Sequence, residues 1–390
     1  MIAATVGAIL LATITLYAVL GGADFGGGLW DLLAGGDRRG RAPRQLIDES
    51  ITPVWEANHV WLVFALVIFW TAFPHAFAAV MIAVALPLWL AVLGIVLRGA
   101  GFAFRKEARG ISLQRALGAI FAFSSVLTPF FMGTVVGAIA AGQIPANASQ
   151  ASLSAWTGAM PLLTGFLFVT ACAYLAAVYL TGEAARRGDG SLEGYFARRA
   201  QAAGIVTGGL SLAALAELHS ADAAVFDRLT GRALALVIIA GIAGLAVVAL
   251  LAASRLPGIR VLAALSVAAV IWGWGVAQYP VLLPGTSVTL ANAGAPHATL
   301  VAIAWLFVAA VVLVGPSFAL LFTLHGRRTL GDDGGAVLGI SPATATRPSA
   351  GQPGQRGEPS QQPGPGSRTF ALALVAAAAV RRALARRQRR

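Results

Sequence analysis

Charge is scarce in this chain of 390 residues. Asp, Glu, Lys and Arg make up only 11% of it, where a soluble domain carries roughly 25%. With 58% hydrophobic residues and a mean hydropathy of +0.78, that shortage excludes an ordinary soluble fold. Nearly all of the chain reads as membrane. Lysine is almost missing: Lys106 stands against twenty-seven Arg. The net charge of +12 does not point to nucleic acid, because the basic residues fall in short loops and a C-terminal tail and not on an amphipathic soluble face. Cysteine is reduced to Cys172. A disulfide within the chain, a Cys-ligated cluster and a Cys-rich zinc site are therefore excluded. Cys172 lies in an apolar run and reads as a small buried hydrophobe. The N-terminus has no basic leader and no clear cleavage site and is apolar from Ile2, so the first run reads as a retained transmembrane helix.

What is present is long apolar runs. A span needs about 20 mostly apolar residues, and nine stretches qualify: 2–25, 54–73, 76–98, 114–141, 156–181, 200–220, 231–253, 260–283 and 300–325. They are read as helices, because an open sheet leaves its backbone unsatisfied in lipid and the runs are too continuously apolar for barrel strands. Loop charge sets the orientation. Arg38, Arg39, Arg41 and Arg44 follow span 1; Arg98, Arg105, Lys106, Arg109 and Arg115 surround the turn after span 3. Arg186, Arg187, Arg198, Arg199, Arg255, Arg260 and the eleven Arg of the tail share that side, which makes 26 of 28 basic residues. Only Arg228 and Arg232 lie opposite. Positive residues stay cytoplasmic, so the N-terminus is expected outside and the C-terminus inside, which requires an odd number of spans.

The composition changes after residue 326. Gly, Pro, Ser, Gln and Thr dominate 327–368, which reads as a disordered linker between a 1–326 membrane domain and a short basic segment at 369–390. Phe370–Val380 is too short to span. With the arginines after it, it fits a basic helix lying on anionic lipid, or simply topogenic charge.

Few ionisable residues enter the spans, and each costs at least ~2.5–3.5 kcal/mol near a helix centre. Asp24 lies about 33 Å along span 1, near its inner end. Glu56 and His59 open span 2 and Arg98 closes span 3, so topology alone puts these four at similar depth on three successive helices. Two carboxylates with an arginine nearby can hold and relay a proton. The plainer alternative is that they sit at the interface, reach water and orient helices. His59 shares a helix face with Glu56, and reads more readily as structural than as a metal or haem ligand. His75, His219 and His297 fall on the outer side and His325 at the inner end of span 9, so no ligand set forms by depth. Gly21, Gly22, Gly26, Gly27 and Gly28 flank Asp24. They allow close helix approach, and they also allow the chain to open locally around the acid. Without a Gly-Lys-Ser/Thr they make no nucleotide site. In Trp272-Gly273-Trp274-Gly275-Val276-Ala277-Gln278-Tyr279-Pro280, the aromatics read as interface anchors, with Gln278 and Tyr279 as possible polar contacts to a lipid-like headgroup.

Taken in order, several motifs make the chain resemble subunit II of the cytochrome bd-type quinol oxidases. They are Gly21-Gly22-Ala23-Asp24-Phe25-Gly26-Gly27-Gly28, Pro53-Val54-Trp55-Glu56-Ala57-Asn58-His59-Val60-Trp61-Leu62, Phe69-Trp70-Thr71-Ala72-Phe73-Pro74, Leu97-Arg98-Gly99-Ala100-Gly101-Phe102-Ala103-Phe104-Arg105 and Ala277-Gln278-Tyr279-Pro280. The resemblance covers about residues 1–326. It implies an all-α integral membrane fold of nine helices, two four-helix bundles plus a peripheral helix. It also implies quinol oxidation coupled to reduction of dioxygen to water in a respiratory chain of the bacterial cytoplasmic (inner) membrane. The family's haems b and d and its quinol oxidation site belong to subunit I, the expected heterodimer partner, and a small single-span accessory subunit is a further expected partner. No cofactor is expected to be held directly here, apart from a structural quinone in some members. Subunit II is credited with a cytoplasmic proton-entry path. Asp24 and Glu56 match its acidic positions, Glu standing where some members have Asp, and Arg98 matches its basic position. Trp55, Asn58, His59, Gln278 and Tyr279 are the expected contacts to a quinone or to the partner. Ala103 stands where some members carry an acid, so the route here differs from theirs or uses water. Membrane lipid is an expected partner and nucleic acid is not. A proton-coupled secondary transporter and a membrane scaffold are the competing readings. The transporter fits less well, because its charges would lie near the midplane in broken helices.

Overall fold

The computed structural model describes residues 1–36, 39–51, 55–107 and 111–326. Some side chains within these ranges, including those of Trp55 and Glu56, lie outside the described residues, as do the linker and basic segment expected at 327–368 and 369–390. The described chain is built from thirteen helices: α1 (Ile2–Leu32), α2 (Arg41–Ile51), α3 (Trp55–Ala72), α4 (Pro74–Ala83), α5 (Ala85–Glu107), α6 (Ile111–Ala140), α7 (Ser154–Thr157), α8 (Ala159–Arg186), α9 (Gly190–Ala221), α10 (Ala223–Thr230), α11 (Leu234–Ala252), α12 (Ile259–Gln278) and α13 (His297–Gly326).

Seven of these, α1, α6, α8, α9, α11, α12 and α13, are long and apolar enough to cross a membrane, or eight if the bent pair α3 and α4 forms one span. The chain is a multi-pass membrane protein. The expected third span, 76–98, is corrected by a break. Helix α4 stops at Ala83 and α5 starts at Ala85. The cause is Pro87. Proline has no N–H to give the carbonyl four residues back, and its ring crowds that carbonyl. The residue four back is Ala83, whose carbonyl accepts instead from the Ser152 amide at 3.0 Å. At the other end of α4, Pro74 opens the helix and Phe73 stands out of helical geometry at φ −136°. There the axis turns by 117° between Asn58–Ala72 and Pro74–Ala83.

Two other readings are corrected. The glycine-rich stretch does not open: α1 runs helical through all five glycines to Leu32, seven residues beyond the expected end at 25. The Arg-rich connection after it is not a plain loop, because Arg41–Ile51 is helical. Helix α2 buries Leu46 and Ile47 and is tied back to α1 by an ion pair from Arg44 Nε to Asp31 Oδ1 at 2.8 Å.

Burial along α1 explains why the rest gathers round it. Before Tyr17 only Val6 and Thr13 are buried; from Tyr17 to Asp31 buried residues occur on every side. Helix α1 contacts α3, α6, α8 and α12 as a central post. Among the long helices, α3, α5 and α6 connect to α1 as one set. Helices α8, α9, α11 and α12 pack on one another as a second, and α13 touches α1 and α3.

The two sets meet where α6 and α1 pack on α8, and Gly26 makes the α1–α8 crossing possible. A Cβ at Gly26 would overlap the backbone carbonyl of Cys172 and sit 2.7 Å from the Ala176 side chain. The backbones thus touch through a missing side chain, a packing mode that lipid favours because apolar side chains gain little from leaving one apolar medium for another. Trp30 fastens the same crossing, its indole Nε1 donating to the Ala173 carbonyl at 2.8 Å. Gly26→Ala is expected to destabilise by about 1–3 kcal/mol, as overpacking does. It should lower the thermal midpoint and the yield of the purified protein; an unchanged midpoint would contradict this packing.

Candidate functional site

Asp24 is 2% exposed and Arg98 is 2% exposed, so neither reaches water past its own helix. They meet between α1 and α5. Arg98 donates through Nη2 to Asp24 Oδ1 at 2.6 Å and to the Asp24 backbone carbonyl at 3.0 Å. Through Nη1 it donates to Ser125 Oγ on α6, and that hydroxyl donates in turn to the Phe121 carbonyl at 2.6 Å. The guanidinium lies over two ring faces, 4.9 Å from the Phe25 centroid and 4.5 Å from that of Phe121. Arginine suits this place because it is planar, stacks on aromatics and is more weakly hydrated than an ammonium.

The local sequence dictates the arrangement. Residues 24, 25 and 28 fall on neighbouring faces of one helical turn. Gly28 leaves the gap that the guanidinium enters: a Cβ there would overlap Ser125 Oγ and lie 3.0 Å from Arg98 Nη1. A buried pair of this kind gains stability only when its remaining polar atoms are satisfied. Here they are satisfied only in part. Asp24 Oδ2 and Arg98 Nε are buried with no hydrogen-bond partner among the described residues.

Asn58 and His59 on α3 reach the same place. Asn58, 3% exposed, donates through Nδ2 to the Leu20 carbonyl of α1 at 3.2 Å. The His59 ring stands edge-on to Tyr17 and Phe25, with centroids 6.2 and 6.0 Å apart. So Asp24, Arg98 and His59, placed at similar depth by the sequence, are brought together, and Asn58 lies with them. Trp55 and Glu56 open the same helix, one turn before His59, and their side chains lie outside the described residues.

Gln278 and Tyr279 are not part of this cluster. They end α12, about 21 Å along the helix from Ala264, which lies beside Asp24. Gln278 Nε2 donates to the Leu282 carbonyl at 2.8 Å. Arg232 and Arg228 donate to the last carbonyls of α12, Arg228 Nε to Ala277 at 2.6 Å. Gln278 is 8% exposed and serves the turn that follows the helix. Ala103 faces outward from α5 and takes no part in the Asp24–Arg98 pair.

Sequence reasoning missed Ser125 and Phe121, the α6 half of the Arg98 cradle. The available signal was Ser124-Ser125 within an otherwise apolar run. For metals and haem, the described residues contain no group of three His, Cys, Asp or Glu that could hold an ion. The histidines are dispersed, His59 opening α3, His75 opening α4, His219 closing α9 and His297 opening α13. That scatter does not fit a haem held by paired axial histidines of this chain. The cluster holds a buried charge pair in which Asp24 Oδ2 has no hydrogen-bond partner among the described residues.

Comparison with known proteins bears on which protein does this. The chain matches 24% of residues over 168 positions of cytochrome bd ubiquinol oxidase subunit 2 from Bacillus subtilis (strain 168), a match covering 42% of this chain and 48% of that relative. The chain therefore spans about half the length of the curated relative it matches. The fold superposes on the solved structure of bd oxidase from Geobacillus thermodenitrificans with a TM-score of 0.66 at 21% identity, over 83% of this chain and 98% of that one, a likeness of fold. The family model for cytochrome bd terminal oxidase subunit II matches residues 2–325, and the chain belongs to that family.

Proposed function

We propose that this chain is the subunit of a quinol:dioxygen oxidoreductase that carries protons to the site of oxygen reduction and stabilises the haem-bearing subunit I. Haems b and d and the quinol oxidation site are assigned to that partner. When bound there, they supply the electron transfer and oxygen chemistry. This chain's own part is to take protons from the cytoplasmic side and hand them on through Asp24, Glu56 and Arg98. The observation that carries the reading is Asp24 itself: a carboxylate buried in a membrane helix, with Oδ1 fixed by Arg98 and Oδ2 left to accept and release a proton. An intramembrane acid held this way is expensive, and that expense is the argument for function.

The same helices support the topology expected from the sequence. Helix α4 has ten residues, about 15 Å, and is too short to cross. If α3 and α5 cross on either side of it, the spans are α1, α3, α5, α6, α8, α9, α11, α12 and α13. Nine spans put the N-terminus outside and the C-terminus in the cytoplasm of a bacterial inner membrane, with basic loops inside. The Asp24 end of α1 then faces the cytoplasm. The linker at 327–368 and the basic segment at 369–390 are assigned no catalytic part. A structural quinone near Trp55, Asn58 and His59 and a single-span accessory subunit remain compatible with this arrangement.

Purification tests the assignment. Tagged chain should bring along a haem-rich partner of similar size, and chain expressed alone should carry little haem and show no oxidase activity. Glu56→Gln in the assembled complex should slow turnover with haem content unchanged. A stand-alone protein with substrate-stimulated proton flux would contradict the assignment and identify a transporter.

A further inference from the structure

Helices α1 and α12 touch near one end and are separated at the other. They touch at Leu11 and Gly275, where a Cβ on the glycine would lie 2.3 Å from Leu11 Cδ2. Towards Arg260 a cavity of about 130 Å³ lies between them, with α8 behind it. Val19, Leu20 and Ala23 of α1, Leu175 and Val178 of α8 and Ala264 of α12 supply much of its wall. Asp24, Asn58 and Ser50 border it as well, but Asp24 Oδ2, Asn58 Oδ1 and Ser50 Oγ are buried out of its reach. The accessible wall is mostly carbon. An apolar space of this kind does not hold water, and atoms that line a void lose their dispersion contacts. In a bilayer the filler at hand is an acyl chain. The size suits one, because an apolar protein cavity of roughly 150 Å³ takes up benzene. The cavity is open to the outside, and Leu16, Val261 and Leu265 on the same two helices are exposed.

The Arg260 end is basic. The Arg260 side chain is 31% exposed and is held in place. Its Nη2 donates to the Tyr179 carbonyl at 2.9 Å, and the guanidinium lies 4.4 Å from the Tyr179 ring centroid. Gly182 leaves room for it, since a Cβ there would be 2.7 Å from Arg260 Nε. Nη1 makes no hydrogen bond among the described residues. Glu183 faces Arg260 at 3.8 Å and also pairs with Arg186 and Arg187, while Arg187 reaches on to Glu49 of α2. Three arginines against two carboxylates leave one positive charge in excess at the mouth. A basic pocket between membrane helices suits a lipid headgroup that carries phosphate, and the planar fork of arginine matches phosphate geometry.

We propose that this groove is the site of one anionic phospholipid, with an acyl chain in the cavity against Ala264 and the phosphodiester on Arg260, Arg186 standing beside it. The lipid joins α12 to α1 over the length where the two helices do not touch. The binding is noncovalent and does not depend on the proton-path reading of Asp24.

The test uses the assembled oxidase complex in phosphatidylcholine vesicles that contain a trace of phosphatidylglycerol with a photoactivatable diazirine in one acyl chain. After illumination, the labelled residues are located by mass spectrometry. Label is expected on the groove wall of α1, α8 and α12. Excess unlabelled phosphatidylglycerol should suppress it, and the same excess of phosphatidylcholine should not. Arg260→Gln should weaken the wall label at least about fivefold, the scale of one basic residue facing an anionic lipid surface, and Arg260→Lys should keep more of it. Ala264 lines the cavity, and Ala264→Phe, which fills it, should abolish the wall label. Val261→Phe on the exposed face of the same helix should leave the label as it was. A wall label that both lipids suppress equally, or that Arg260→Gln leaves unchanged, belongs to bulk lipid and overturns the proposal. So does an unlabelled groove, or a neutral isoprenoid chain cross-linked there in place of phospholipid. If Arg260→Gln and Ala264→Phe do not assemble, the competition between the two lipids on the wild type decides alone.

Discussion

Asp24→Asn is expected to reduce quinol-driven oxygen consumption by about 100-fold, within the range set by removing a positioned proton-transfer group, while the complex still assembles. The two halves of that expectation have separate causes. Asparagine has nearly the shape of aspartate and keeps an oxygen for Arg98 Nη2. The guanidinium also retains the Asp24 backbone carbonyl at 3.0 Å, the Ser125 hydroxyl and the faces of Phe25 and Phe121. Arg98 therefore keeps most of what holds it when the formal charge opposite is lost. What asparagine cannot do is take a proton at Oδ2 and release it again. Haem content measured on the same sample separates the two effects. Normal haem with slow turnover is the expected result; lost haem would make Asp24 a structural residue.

Arg98→Leu should act the other way, on stability before activity. Leucine leaves the Asp24 carboxylate buried with no cation and empties the space between two aromatic rings. Breaking a buried pair by removing one partner costs about 3–5 kcal/mol, whereas replacing both with apolar residues is often close to neutral. The double variant Asp24→Leu/Arg98→Leu should therefore recover most of the thermal midpoint lost by Arg98→Leu alone, without recovering turnover. That divergence is the useful signature. If the double variant is no more stable than the single one, the pair is not the source of the loss. If it regains activity as well, neither residue carries protons.

The sequence made the helical membrane architecture legible because lipid leaves so few choices. Eight of the nine apolar runs coincide with a single helix, give or take their ends. The exception was 76–98, where the hydropathy is unbroken and only Pro87 marks the stop at Ala83. Apolar content does not register a backbone break, and proline alone does not decide one: a helix ends before Pro87, whereas Pro129 and Pro316 lie inside α6 and α13. The glycines around Asp24 were ambiguous for a related reason. Glycine permits both an open backbone and close helix contact, and only the position of Cys172 on α8 decides that Gly26 serves contact.

Of the site, Asp24, Arg98 and His59 were legible because topology fixes depth, and a charge in an apolar run is conspicuous against its surroundings; Asn58 was named only through the family motif. Ser125 and Phe121 were not, because a serine and a phenylalanine are ordinary residues in a membrane helix. Their roles depend on which face of α6 meets α5. Ser50 and Tyr179 were hidden for the same reason: only packing shows that α2, α8 and α12 border the space beside Asp24. Gln278 and Tyr279 were singled out by their motif, and the structure places them at the end of α12, away from Asp24, with Gln278 Nε2 donating to the Leu282 carbonyl.

Proton uptake from the cytoplasmic side tests the central claim most directly. The assembled complex would be reconstituted in vesicles with a pH-sensitive dye on that side, and uptake followed as quinol drives oxygen consumption, for the wild type, Asp24→Glu and Asp24→Asn. The account predicts that Asp24→Glu retains uptake in step with turnover. In Asp24→Asn, uptake and turnover should fall together while quinol still reduces the partner's haems at the normal rate. Wild-type uptake and turnover in Asp24→Asn would contradict it, and Asp24 would then be only one half of a structural ion pair.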